Sequence, residues 1–169
     1  MDKRLFVVII MVFSVLNLLS QDALLTVAEH SGYTSTSTYD DVMTFVGHLE
    51  KSPFLRVENI AASTEGRNIP LLIIGNPLPA SPADLRSDRR IVIYVQANIH
   101  PDEVEGKEAV LMFARDLLSG KHPGLLDNIV FLMCPNLNPD GNEPISPLHR
   151  TYQNGPVNGV GVRHNAQYL

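Results

Sequence analysis

Two uninterrupted apolar runs, IVIYVQ at 91–96 and NIVFLMC at 128–134, constrain this chain more than anything else in it. Short runs with no polar alternation read as strands buried on both faces. Between them, EVEGKEAVLMFARDLLSG reads as a helix, with Gly120 as its C-terminal cap and Pro123 just beyond. Apolar strands alternating with helices imply an α/β fold: a mixed, mostly buried sheet with helices on both faces. In such sheets ligands bind beyond the carboxyl ends of strands.

The flanking sequence completes the outline. In TSTSTYDDVMTFVGHLEKSP, Thr38 is placed to cap a helix with Asp41 three residues on. Val42, Phe45, Val46 and Leu49 then make one apolar face, and Ser52-Pro53 ends the helix. LRVENIAAS and IPLLIIG read as strands around a turn containing TEGRN. NPLPASPADLRSDRR, with three prolines, reads as a loop, and the Pro-, Gly- and Asn-rich stretch after Cys134 has little periodicity. A structureless stretch of that length in a compact domain is usually functional or incomplete.

With 169 residues the chain supports one domain plus a targeting segment. A net charge of -5 without a basic patch argues against nucleic acid as a partner. The single cysteine, Cys134, ends an apolar run and reads as a buried core thiol. Lys3-Arg4 followed by a short apolar core from Leu5 to Leu19 is the pattern of a secretory signal, so residues 1–22 are expected to direct export. The product would be secreted or periplasmic; the alternative is an uncleaved N-terminal anchor. Residues 23–169 form the domain.

Within QANIHPDEVEGKEAV, His100 lies just past an apolar strand, and Glu103 lies three residues further on, where a helix begins. Imidazole nitrogen and carboxylate oxygen are zinc donors, and a hydrolytic zinc site takes three protein ligands plus water. His100 and Glu103 can therefore face one ion. The competing reading has Glu103 capping the next helix and His100 solvated. Asp102, Glu105 and Glu108 read as the polar face of the helix start, with Glu103 and Lys107 an i, i+4 pair. Asp140 reads as a shaper of the NPDG turn, and His30, His48 and His122 as surface or helix-flanking residues.

NIHPDEVEGKEA resembles the first zinc-binding motif of the zinc carboxypeptidases, the carboxypeptidase A-like metallopeptidases. STEGRNIPLLII resembles the family's N-terminal strand pair, PNLNPDG the segment after the next strand, and NGPVNGVGVRHNAQ the loop before the family's Asn-Arg pair. The four matches run in the family's order over roughly residues 33 to 167. The resemblance implies hydrolysis of C-terminal peptide bonds of peptides or proteins through a zinc-activated water. It implies His100 and Glu103 as metal ligands for Zn2+, Arg67 as a residue lining the substrate cleft and Arg150 as the oxyanion arginine.

The Asn-Arg pair, the third zinc ligand and the catalytic glutamate are expected beyond Leu169. On this reading the chain is the N-terminal half of a catalytic domain, incomplete at the C-terminus and inactive alone. An open sheet edge, an exposed apolar patch and a poorly packed stretch from Pro135 to Leu169 should follow. Two alternatives stand beside it: a non-catalytic peptide-binding remnant of the same fold, and a small zinc hydrolase completed by His149 or His164.

Overall fold

The computed structural model describes residues 24–152 and 154–164. The expected export segment at 1–22 lies outside the described residues, as do the last residues of the NGPVNGVGVRHNAQ stretch. No helix among the described residues is long and apolar enough to cross a membrane.

The elements run α1 (Val27–His30), α2 (Tyr39–Leu49), β1 (Leu55–Ala62), β2 (Asn68–Ile74), α3 (Asp84–Ser87), β3 (Ile91–Gln96), α4 (Glu105–Leu118), α5 (Leu125–Asn128), β4 (Ile129–Cys134) and α6 (Pro139–Asn142). Helix α2 starts where its cap allows. Thr38 Oγ1 accepts from the Asp41 amide at 3.2 Å, and Asp41 Oδ2 accepts from the Thr38 amide at 2.9 Å. Two donors with no intrahelical partner are thereby satisfied. Helix α4 stops at Ser119, and Gly120 follows at φ +76, a left-handed position that favours glycine.

The four strands form one mixed sheet in the order β1-β2-β4-β3. β1 pairs with β2 and β2 with β4 antiparallel, while β3 and β4 are parallel and joined through α4. Side chains alternate across a strand, so Leu72 and Ile74 of β2 and Phe131 and Met133 of β4 share a face. That face packs on Val42, Phe45, Val46 and Leu49 of α2 and on Leu111, Ala114 and Leu117 of α4. The core thus sits between the sheet and the two long helices.

IVIYVQ departs from the expectation of a strand buried on both faces. β3 lies at the end of the sheet, and Ile91 is 64%, Val92 40% and Tyr94 52% exposed. An apolar run records what a strand can bury. Whether it does so depends on neighbours, and among the described residues β3 pairs with β4 alone. NIVFLMC behaves as expected: Val130, Met133 and Cys134 are fully buried in the centre of the sheet. Burial also pushes the Cys134 thiol up to about 11, consistent with an inert core thiol.

Two further differences concern segments read as irregular. The proline-rich loop contains the short helix α3, which buries nothing. The stretch after Cys134 is not poorly packed throughout. From Pro135 to Asn142 all but Leu137 are buried, and Asn138 caps α6 by accepting from the Gly141 amide at 3.0 Å. Buried backbone needs partners. Here asparagine side chains provide them, which a search for apolar periodicity does not register. Beyond α6, an isolated bridge joins Ser146 to Val160.

Candidate metal centre

His100 and Glu103 stand at the carboxyl end of β3, where the chain turns into α4. Pro101 occupies the second position of a tight turn, which its fixed φ favours. The Glu103 amide donates to the His100 carbonyl at 2.8 Å and closes that turn. The two side chains emerge on one side, with His100 Nδ1 3.7 Å from Glu103 Oε2. Two donors about 2.1 Å from one tetrahedral zinc ion lie about 3.4 Å apart. The observed separation therefore needs a closure of only a few tenths of an ångström, and the donor types suit zinc. The capping alternative for Glu103 is not what the structure holds. Helix α4 has no side-chain cap bond at its N-terminus, and the Glu103 carboxylate turns toward His100 and a pair of arginines.

Arg163 donates to Glu103 Oε1 at 2.8 Å, leaving Oε2 toward His100. Its guanidinium holds the Glu103 carboxyl below the usual range, against a partial desolvation that works the other way. Arg150 is nearby, with Nη1 donating to the Asp102 carbonyl at 2.7 Å and Nη2 4.0 Å from Glu103 Oε1. Asp102 Oδ1 is buried without a hydrogen bond, 3.6 Å from the Arg163 guanidinium. Two carboxylates and two guanidinium groups thus surround the His100 turn. Arg163 reaches it because the chain at Gly161 runs against two other segments. A Cβ there would lie 2.5 Å from the Gly141 carbonyl oxygen and 2.7 Å from Pro101 Cβ, so only glycine fits without a shift. Arg163 carried no sequence signal beyond its place in a glycine-rich stretch.

Arg67 sits elsewhere, in the β1–β2 turn. It donates to Glu65 Oε2 at 2.6 Å and Asp140 Oδ1 at 2.8 Å. Asp140 also accepts from Ser63 Oγ at 2.6 Å and the Glu65 amide at 3.1 Å. Beyond its NPDG turn, Asp140 therefore fastens that turn to the hairpin carrying Arg67. A pocket beside this junction is lined by Glu65, Asp140, Gly141, Val162 and His164 among others. His149 and His164 do not join the His100 turn. His149 Nδ1 donates to the Val160 carbonyl at 3.0 Å, His164 is exposed, and no group of three His, Cys, Asp or Glu among the described residues converges on a metal position.

Lys107 and Glu108 differ from their sequence reading. Lys107 is fully buried and does not pair with Glu103; its Nζ donates to the Ser37 carbonyl and, at 2.6 Å, to Asn142 Oδ1. Glu108 is also buried and accepts from Thr36 Oγ1 at 2.8 Å, the Ser37 amide at 2.7 Å and Ser37 Oγ at 3.1 Å. The signal was available: both residues precede Leu111 by one helical turn and so lie on the apolar stripe. Burial pushes the Lys107 ammonium down to about 8 from 10.5, opposed by Glu108, Glu143 and Asp41. Between those pH values the unfolded chain holds more protons, so this group adds stability as pH rises. Its contribution is complete above pH 10.5 and lost as pH falls through about 8. Unfolding free energies measured across that window should rise with pH relative to Lys107→Met; parallel curves for the two proteins would contradict the buried ammonium.

A family model described as zinc carboxypeptidase matches residues 42–168, about three-quarters of the chain. The chain belongs to the zinc carboxypeptidase family. Mouse carboxypeptidase M is 32% identical over 112 residues, covering 63% of this chain and 24% of that protein. Human cytosolic carboxypeptidase 2 is 29% identical over 110 residues, covering 62% of this chain and 12% of that protein. The chain therefore spans about a quarter or less of the length of these curated relatives. Among solved structures, a putative carboxypeptidase from Burkholderia mallei has a TM-score of 0.56 at 23% identity, covering 81% of this chain and 31% of its own. Carboxypeptidase A from Helicoverpa armigera has a TM-score of 0.55 at 24% identity, covering 64% and 26%. At those identities the likeness carries the fold, which is the carboxypeptidase fold. The zinc carboxypeptidase family match extends across the His100–Glu103 turn, the Arg67 hairpin and the Arg150 and Arg163 segments.

Proposed function

We propose that this chain carries the His100–Glu103 half of the zinc site of a metallocarboxypeptidase, one that hydrolyses the C-terminal peptide bond of a peptide or protein. The observation behind this reading is the approach of His100 Nδ1 and Glu103 Oε2 to 3.7 Å across a closed turn, within a zinc carboxypeptidase family match. Bound there, zinc would supply Lewis acidity, polarising the scissile carbonyl and acidifying a water. His100 and Glu103 offer a neutral nitrogen and an anionic oxygen to that ion. Arg163 keeps Glu103 ionised and holds one carboxylate oxygen so that the other faces His100. Arg150 is the candidate for neutralising charge that develops on the carbonyl oxygen, and its position near Glu103 suits that role. Arg67 is the candidate for the substrate cleft. In this reading the remaining ligand and the general base come from outside the described residues, and export through residues 1–22 belongs to the same proposal.

Zinc binding tests it. His100→Ala and Glu103→Ala should each weaken Zn2+ retention in equilibrium dialysis by at least about tenfold, since residues merely supporting a ligand already cost 10–100-fold. Joined to the C-terminal half of a family relative, the parent chain should release C-terminal residues in a zinc-dependent way, and both variants should not. A chimera that is active and keeps its zinc content after either substitution would show the ligand assignment to be wrong.

A further inference from the structure

The segments on either side of the metal pair meet at one buried side chain. Asn142, 1% exposed, accepts through Oδ1 from Lys107 Nζ at 2.6 Å and from Asn98 Nδ2 at 3.1 Å. Asn98 stands two residues before His100, and Lys107 one helical turn after Glu103. Asn142 Nδ2 donates to the Ser37 carbonyl and to Glu143 Oε1, each at 3.2 Å, so the amide is held from both ends.

The strand exit is held in the same way. Asn98 is buried at φ +58, a left-handed conformation that asparagine tolerates better than most residues. Its Nδ2 also donates to Asn136 Oδ1 at 2.8 Å. The carbonyls of Ala97 and Asn98 accept from the amides of Leu137 and Asn138, each at 3.1 Å, and the Ile99 carbonyl accepts from Asn138 Nδ2 at 3.2 Å. Three successive carbonyls before His100 are thus fixed to the segment that leads into Asn142. On the helix side the whole Lys107 side chain is buried, so the first turns of α4 cannot rotate without breaking its bond to Asn142.

We infer that Asn142 is the positioning residue of the metal pair: by joining Asn98 to Lys107 it sets the separation of His100 from Glu103. The inference rests on the metal-centre reading above. A two-donor site spanned by a short turn has little rigidity of its own, and the interaction that fixes both ends of the turn decides whether the donors converge.

Two variants of the full chain test this, with a control. Asn142→Leu keeps the branched shape and removes the acceptor. Asn98→Gly keeps the left-handed backbone and removes the donor, and it carries both readouts should Asn142→Leu fail to fold. Val46→Ala, in the α2 core, supplies destabilisation without touching the network. The first readout is exchange of the Glu103 amide, whose bond to the His100 carbonyl closes the turn. It should speed up about tenfold or more in the two network variants beyond any change in Val46→Ala. The second readout is Zn2+ affinity of the folded chain, expected to weaken about tenfold or more in those variants and to hold in the control. Exchange no faster than in Val46→Ala overturns the inference. So does unchanged zinc affinity in both network variants when His100→Ala lowers it. Faster exchange with zinc binding indifferent to His100→Ala supports the positioning of the turn and refutes the metal reading instead.

Discussion

Glu108→Ala should lower the thermal midpoint of this protein by roughly 10 °C. Glu108 is 4% exposed and accepts three hydrogen bonds from Thr36 and Ser37, both themselves buried. It also lies next to Lys107, whose ammonium is buried and stabilised by that carboxylate. Removing it leaves two hydroxyls and an amide without their acceptor and takes countercharge from a buried cation. Breaking one side of a buried charged arrangement costs about 3–5 kcal/mol, and at this chain length each kcal/mol moves the midpoint by about 2–4 °C. Against a total stability of about 5–15 kcal/mol the loss is large. Glu108→Gln, which keeps a carbonyl acceptor, should lose less. Thermal melts followed by circular dichroism give the comparison, and a midpoint for Glu108→Ala within about 2 °C of the parent would show that the network contributes little.

The second large effect concerns self-association. Among the described residues β3 pairs with no strand other than β4, and Ile91 and Val92 are exposed along it. IVIYVQ has no charge, no proline and no glycine, so it lacks the features by which edge strands resist pairing with other chains. The chain should therefore sediment as a mixture of monomer and larger species at tens of micromolar. Ile91→Lys and Val92→Lys place a charge at exposed positions, outside the core cluster of Leu72, Phe131 and Met133. Each should shift the distribution toward monomer and cost no more than about 1 kcal/mol of stability. A parent chain that stays monomeric over the same concentrations, or lysine variants that associate as readily as the parent, would remove the case for an adhesive edge.

The parts legible in the sequence were those written in local chemistry. The capping box at Thr38 and Asp41, the apolar stripe of α2, the glycine after α4 and the two strands around TEGRN each depend on residues a few positions apart. Their spacing alone therefore located them. The His100–Glu103 turn belongs to the same class, because Pro101 and a closing hydrogen bond act within four residues. The family resemblance, carried by motifs around that turn and in PNLNPDG, agrees with the zinc carboxypeptidase match over residues 42–168.

What escaped local reading has one cause. Lys107 and Glu108 look like solvated charges because charge normally seeks water; they are buried because Ser37, Thr36 and Asn142, distant in sequence, supply their hydrogen bonds. The Asn-rich segment after Cys134 looks irregular because asparagine has no periodic signature, yet it is the polar seam that holds the His100 loop. Arg163 reaches Glu103 only because Gly161 allows three stretches of chain to meet.

By itself the sequence determined the order of the two long helices and the four strands, the α/β class and the strand-to-helix junction at which His100 and Glu103 stand, since backbone propensity, side-chain period and turn chemistry act over short ranges. Only the tertiary structure decided which strand stands at the edge, which charges are buried and which arginines face Glu103. Those depend on the neighbours that distant segments provide, and burial of a polar group is tolerated only where such a neighbour offers a hydrogen bond.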